Sequence, residues 1–185
     1  MRLTEIVLPG CYEIQTNPLE DLRGIFVKVF HKEIFANLGL EINFSEEFYS
    51  VSYHRVLRGL HFQVPPHEAV KLVYCVEGRL LDAVVDLRVG SPQYGKFATI
   101  ELSAQGANML YIPPGLAHGF YVLSEKATVV YKVSTVYSAE HDTGILWNSA
   151  GIPWPDPQPI ISPRDSGFVT LSEFLSPFRY EKPPA

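Results

Sequence analysis

Cysteine, methionine and tryptophan are nearly missing from this chain, with two of each in 185 residues. The thiols, Cys11 and Cys75, lie far apart and form no C-x-x-C pair. Neither a disulfide framework nor a cysteine-built zinc site is indicated, and a reducing compartment is the plain reading. Positive charge is also short: 15 Lys and Arg face 20 Asp and Glu, for a net charge of −5. That balance argues against a broad basic face for nucleic acid, while leaving room for a local phosphate pocket. No apolar run reaches the roughly 20 residues of a membrane-spanning helix. The amino terminus, MRLTEIVLPGCYEI, alternates and carries Glu5, unlike a signal peptide. A soluble cytoplasmic protein is expected, without nucleic-acid or membrane partners. Its length suits one hydrophobic core and a single domain over 1–185.

Helical signals are few as well. KEIFANLGL (32–40) predicts two turns ending near Gly39, and TLSEFL (170–175) predicts another. Strand signals fill most of the rest: GIFVKVF (24–30), EFYSVSY (47–53), VLRGLHFQ (56–63), KLVYCV (71–76), RLLDAVVDL (79–87), FATIEL (97–102), NMLYI (108–112), HGFYVLS (118–124) and ATVVYKVSTVY (127–137). From Gly151 the prolines of IPWPDPQPI exclude helix and central strand and predict a wrapping surface loop. Residues 176–185 are expected to fray. So many short strands in one domain predict an all-β barrel or double-sheet jelly roll with a few short peripheral helices.

Polar residues recur on strand faces too apolar to be surface ribbons. In LLDAVVDL, Asp82, Val84 and Asp86 oppose Leu81, Ala83, Val85 and Leu87. In VLRGLHFQ, regular alternation would place His61 with Gly59 and Arg58 on the other face. A polar pocket in the mouth of a barrel reconciles these patterns. The ionisable candidates are His61, Lys71, Asp82, His118, Tyr131 and, in ISPRD, Asp165. Singly, each has an ordinary structural explanation: a hydrogen-bonded strand histidine, a solvated lysine, a core tyrosine, an aspartate capping the segment that follows. Asp82 is the hardest to dismiss, because an unpaired buried carboxylate is costly.

PPGLAH (113–118) resembles the second motif of the cupins, a large family of small β-barrels. The first cupin motif requires His-x-His, and here His61 is followed by Gln63, with His67 and Glu68 beyond a Pro-Pro pair. No catalytic metal is expected, since a first-row ion needs three or four well-placed ligands. Without one, His, Lys and Tyr suit proton transfer beside a carbonyl. The imidazole is the natural base, the ammonium can hold an enolate oxygen, and the phenol can return a proton from the opposite face. Composition alone does not assign these roles.

Taken in order, EDLRGIF, VLRGLHFQ, KLVYCVEGRLLDAVVDLRVGSPQYGKF, YIPPGLAHGFYVLS, VYKVSTVYSAEHDTGILWN and PIISPRD resemble the dTDP-4-dehydrorhamnose 3,5-epimerases. The resemblance runs from about Leu19 to Asp165. It implies a metal-free cupin jelly roll, a homodimer, no cofactor, and epimerisation at C3 and C5 of a nucleoside-diphosphate 4-keto-6-deoxyhexose, foremost dTDP-4-dehydro-6-deoxy-D-glucose to dTDP-4-dehydro-L-rhamnose. By the same resemblance His61 is the base, paired with Asp165; Tyr131 is the acid and Lys71 holds the enolate. Asp82, His118 and Gln63 belong to the sugar pocket, Arg58 lies by the diphosphate, and Tyr137 lies beside the sugar. An N-terminal arm of about 1–30 is expected to exchange with a partner subunit, carrying Arg23 and Phe26 to its nucleotide site. If Arg58 and His61 both face the ligand, the strand must bend or bulge at Gly59.

The resemblance breaks at SEEFYSVS (45–52), where family members read QDNxSxS. Glu46 and Phe48 replace the amides, which changes what a nucleobase or phosphate meets. A CDP-linked sugar therefore stays open; inversion at only C3 or C5 does too, because the resemblance extends to enzymes that share the His–Asp–Tyr set and stop after one carbon. A 3,4-ketoisomerase, disfavoured by the joint presence of RGLH, YK and SPRD, and a non-catalytic sugar-nucleotide-binding cupin stay open as well.

Overall fold

Alternating apolar residues and frequent turns fold most of the chain into antiparallel strands. The computed structural model describes residues 1–181. Its strands are β1 (Arg2–Glu5), β2 (Tyr12–Gln15), β3 (Leu19–Asp21), β4 (Gly24–Phe26), β5 (Glu46–Tyr53), β6 (Leu57–Gln63), β7 (Lys71–Glu77), β8 (Arg79–Asp86), β9 (Phe97–Ser103), β10 (Asn108–Ile112), β11 (Leu116–Val122), β12 (Lys126–Val133) and β13 (Asp142–Gly144). Two short helices, α1 (Lys32–Asn37) and α2 (Pro163–Ser166), accompany them. One sheet runs β1-β2-β10-β7-β12-β5 and the other β13-β6-β11-β8-β9, while β3 and β4 form a separate hairpin. This is the expected all-β, cupin-type jelly roll.

The sheets face each other across a core that both supply. Val73, Leu110 and Val129 from the first meet Leu80, Val84, Leu102 and Phe120 from the second. Burying each such side chain contributes about 1.5–3 kcal/mol. The far face of the second sheet is apolar too. Leu60, Phe62, Ala83, Val85 and Leu87 are covered there by Ile145, Ile152 and Phe178 of the C-terminal segment. The proline-rich stretch thus wraps, as expected, and it explains strands that are apolar on both faces. A third cluster packs Phe35 of α1 against Ile14, Leu72 and Met109.

Several expectations need correction. The strand expected over 24–30 stops at Phe26, and the one expected over 127–137 stops at Val133. The helix expected over 170–175 is a turn, and the helix in that region is α2, which contains Asp165 and is capped by the Ser162 hydroxyl, so Asp165 caps nothing downstream. The segment expected to fray from 176 is docked as far as Tyr180: Phe178 is buried, Val89 N–H donates to Phe178 O, and Tyr180 N–H donates to Val89 O. An aromatic side chain filling a core pocket outweighs terminal entropy; residues 182–185 lie outside the described part. Residues 2–15 belong to the arm of about 1–30 expected to exchange with a partner subunit, and here they pack within the chain. β1 and β2 pair within the chain's own sheet, and Leu8, Cys11 and Ile14 are fully buried in its core. The exposed projection is the β3–β4 hairpin.

Candidate active site

The geometry begins with a defect in β6. Opposite β11, His61 pairs with His118 and Arg58 with Phe120, so three steps along β6 match two along β11. That is the bulge expected at Gly59. Gly59 has φ +126°, and a Cβ there would lie 2.6 Å from Gly119 Cα and 2.8 Å from His118 O. Only glycine fits so close an approach of two backbones. After the bulge Leu60 and Phe62 still enter the outer core. Arg58 and His61 both line a cavity of about 320 Å³ between the sheets.

On the wall made by the second sheet, His61 Nε2 lies 2.8 Å from Asp165 Oδ1. α2 delivers this carboxylate, and its other oxygen accepts Gly59 N–H at 3.1 Å. Burial pushes the Asp165 carboxyl up, but His61, Gly59 and Ser162 outweigh it and hold the group below the usual carboxylate range. An ionised Asp165 favours the proton on Nε2 and leaves the lone pair on Nδ1. His61 is therefore arranged as a base.

The facing wall carries Tyr131, on β12 of the first sheet. Phe48 stacks on its ring at 4.9 Å and 18°. Ser50 Oγ lies 3.3 Å from its hydroxyl. Burial drives the phenol's pKa up, with Ser50 and Arg58 opposing, so the group is a protonated acid at neutral pH. Lys71 enters from β7, and its Nζ donates to His61 O at 3.1 Å. Burial lowers its pKa to about 8, against the pull of Asp142 and Asp82. It therefore stays mostly charged near pH 7.

The other expected residues divide. Glu46, Phe48, Gln63, His118 and Tyr137 line the same cavity. Glu46 Oε1 accepts Tyr137 N–H at 3.1 Å, and Gln63 Oε1 accepts Ser138 N–H at 2.6 Å. Arg58 is steadied by Ser52 Oγ at 2.9 Å. Asp82 needs correction as a pocket residue: it is fully buried behind His118, whose Nε2 it meets at 2.9 Å, and it does not reach the cavity wall. Its place is to orient His118, because a carboxylate on β8 opposite β11 is covered by its own partner. Burial raises its pKa, while His118 and Lys71 lower it. Arg23 and Phe26 sit on the exposed hairpin, away from this cavity, with Arg23 paired to Asp21.

Sequence reasoning missed Arg164, which also lines the cavity. It pairs with Asp142 at 2.8 Å and covers the Phe168 ring at 5.4 Å. Its place in SPRD, beside Asp165, was the available signal. Among the described residues, no three His, Cys, Asp or Glu side chains converge as a metal-binding group.

A base and an acid on facing walls, with an ammonium between them, resemble a proton-transfer site. The sequence pattern described as dTDP-4-dehydrorhamnose 3,5-epimerase matches residues 5–173. The chain belongs to this epimerase family. The dTDP-4-dehydrorhamnose 3,5-epimerase of Shigella flexneri is 39% identical over 181 residues, covering 95% of this chain and all of that one. The dTDP-4-dehydrorhamnose 3-epimerase of Streptomyces niveus is 38% identical, covering 94% and 85%. The solved dTDP-6-deoxy-D-glucose-3,5-epimerase of Legionella pneumophila Philadelphia 1, in complex with dTDP-4-keto-L-rhamnose, superposes with a TM-score of 0.93 at 32% identity, covering 98% and 99%. In this member of the epimerase family, the segment that departs from the family pattern, 45–52, is β5 in large part. Its inner face supplies Glu46 and Phe48 to the cavity.

Proposed function

We propose that the chain epimerises C3 and C5 of a nucleoside-diphosphate 4-keto-6-deoxyhexose, converting dTDP-4-dehydro-6-deoxy-D-glucose to dTDP-4-dehydro-L-rhamnose. One observation carries this reading: His61 and Tyr131 stand on opposing sheets and line one cavity. A flat enolate between them loses a proton on one face and gains one on the other, which is inversion. The C4 ketone acidifies the neighbouring C–H bonds. His61, held by Asp165, removes a proton; Lys71 holds the developing enolate oxygen; Tyr131 delivers a proton from the opposite side. The ketone is already in the substrate, so the scheme needs no redox cofactor. Arg58 takes the diphosphate, where a guanidinium offers paired donors. His118, Gln63, Glu46, Phe48 and Tyr137 shape the sugar and nucleotide space.

The enzyme would act in the cytoplasm as a homodimer. Among the described residues no helix is long and apolar enough to cross a membrane. Leu19, Leu22, Ile25 and Phe26 of the hairpin, and Tyr49, Val51 and Tyr53 on the outer face of β5, are exposed. That much apolar surface supports a subunit contact. In such a contact Arg23 and Phe26 would reach a neighbour's nucleotide site. Inversion at a single carbon is the second reading, supported by the 38% identity to the 3-epimerase of Streptomyces niveus.

The test is exchange in deuterium oxide with the dTDP- and CDP-linked 4-keto-6-deoxy sugars side by side, following the C3 and C5 protons by NMR. Loss of both signals is expected with the dTDP sugar, and His61→Asn should abolish it with the fold intact. Loss of one signal would favour the second reading. No loss with either nucleotide would leave a binding protein. Exchange at the wild-type rate in His61→Asn would end the assignment of the base.

A further inference from the structure

Each inversion leaves a proton debt at Tyr131. When the phenol gives its proton to carbon, a phenolate remains in an apolar wall, and nothing further can be inverted until it is reprotonated. Its surroundings restrict the route. Tyr131 is 9% exposed. Phe48 covers one ring face, and His118 meets the ring at 6.3 Å and 71°. His118 Nε2 is committed to Asp82, and Lys71 Nζ, which donates to His61 O, holds the enolate oxygen in the proposed reaction. Among the described residues, the Tyr131 hydroxyl has one hydrogen-bonding partner, Ser50 Oγ at 3.3 Å.

Ser50 is suited by position. It lies on β5, the edge strand of its sheet, is only half-buried, and itself lines the cavity. Alternation puts it on the face shared by Phe48 and Ser52. That face holds the Tyr131 ring through Phe48, the Tyr131 hydroxyl through Ser50, and Arg58 through Ser52. A serine hydroxyl both donates and accepts. The long 3.3 Å contact is of the kind that tightens when charge develops on one partner.

We propose that Ser50 is a positioning residue that reloads Tyr131, donating to the phenolate as it forms and relaying a proton to it from water in the cavity that both residues line. The inference rests on the epimerase reading. As the Tyr131 O–H bond breaks, a C–H bond forms at the enolate carbon. The Ser50 O–H bond then breaks as the Tyr131 O–H bond re-forms, and a water proton replaces the one Ser50 gave. The proton that His61 took from the substrate returns to water, so the solvent loses one proton and regains one. Among the influences on the buried phenol, Ser50 is the largest that opposes burial.

Rapid-mix kinetics on Ser50→Ala, and on the shape-matched pair Ser50→Thr and Ser50→Val, test the relay with the dTDP-linked 4-keto-6-deoxy sugar. Without the hydroxyl, Ser50→Ala and Ser50→Val should show a burst of one inversion per site, then a steady rate about tenfold or more below wild type. Ser50→Thr keeps the hydroxyl and should run without a burst, near the wild-type rate. Equal slowing of burst and steady state in Ser50→Ala and Ser50→Val would mean a packing role and overturn the proposal, as would wild-type steady rates in both. A wild-type enzyme that inverts neither carbon would instead overturn the epimerase reading, and the relay with it.

Discussion

Gly59→Ala tests whether the β6 bulge builds the site. Two penalties act at that position. The backbone has φ +126°, a conformation in which a side chain costs about 1–3 kcal/mol. The new Cβ would sit 2.6 Å from Gly119 Cα and 2.8 Å from His118 O, both backbone, so β6 and β11 must separate. Overpacking of that kind costs about 1–3 kcal/mol more. The sum, about 2–6 kcal/mol, corresponds to a fall in Tm of about 5–20 °C for a chain of this size. Gly90 supplies the control: its φ is +92°, but a Cβ there meets nothing within 4 Å. Gly90→Ala should show the conformational penalty alone. Because Gly59 also places Arg58 and His61 together, its variant should lose about 100-fold in kcat in the fraction that remains folded, as expected when reacting groups move by about 1 Å. Thermal unfolding and exchange rates on the two variants, measured together, are the assay. Equal destabilisation at the two positions, or full activity in Gly59→Ala, would refute the role given to the bulge.

Asp165→Asn should lower kcat by about 10²–10⁴ with little change in KM, because the amide no longer fixes the proton on His61 Nε2; a change confined to KM would contradict this. Lys71 gives a prediction in pH. Its pKa falls from 10.5 to about 8 on folding, so the unfolded chain holds a proton that the folded chain has released between those values, and stability rises with pH across that window. At pH 7 the charged ammonium costs about 3 kcal/mol, so Lys71→Met should be more stable by up to that amount while losing activity. In the wild type, kcat should fall on the alkaline side near pH 8 as the ammonium deprotonates; a rate flat from pH 7 to 10 would exclude Lys71 as the enolate's partner.

Strand alternation and turn residues made β5 to β11 legible with boundaries off by no more than two residues, and β12 with its end placed four residues too late, because the pattern is local and strong. The short strands β1, β2, β3 and β13 were not read, and neither was α2, four residues long. Such elements draw on tertiary pairing more than on propensity. Tail docking was invisible for the same reason: Phe178 is a terminal aromatic until Phe62 and Leu87 provide its pocket.

By itself, the order of residues determined the all-β class, the family, and the inventory of His61, Lys71, Tyr131 and Asp165, since these follow from period, motif and side-chain chemistry. It also indicated that Gly59 must deform its strand if Arg58 and His61 were to work together. Tertiary structure alone decided that His61 and Tyr131 stand on opposite walls, that Asp82 serves His118 behind the cavity, that Arg164 joins its lining, and that Ser50 is the one hydroxyl touching Tyr131 among the described residues. The physical reason is that each of these depends on which strands become neighbours, and pairing across 36, 81 or 104 residues leaves no local trace in the chain.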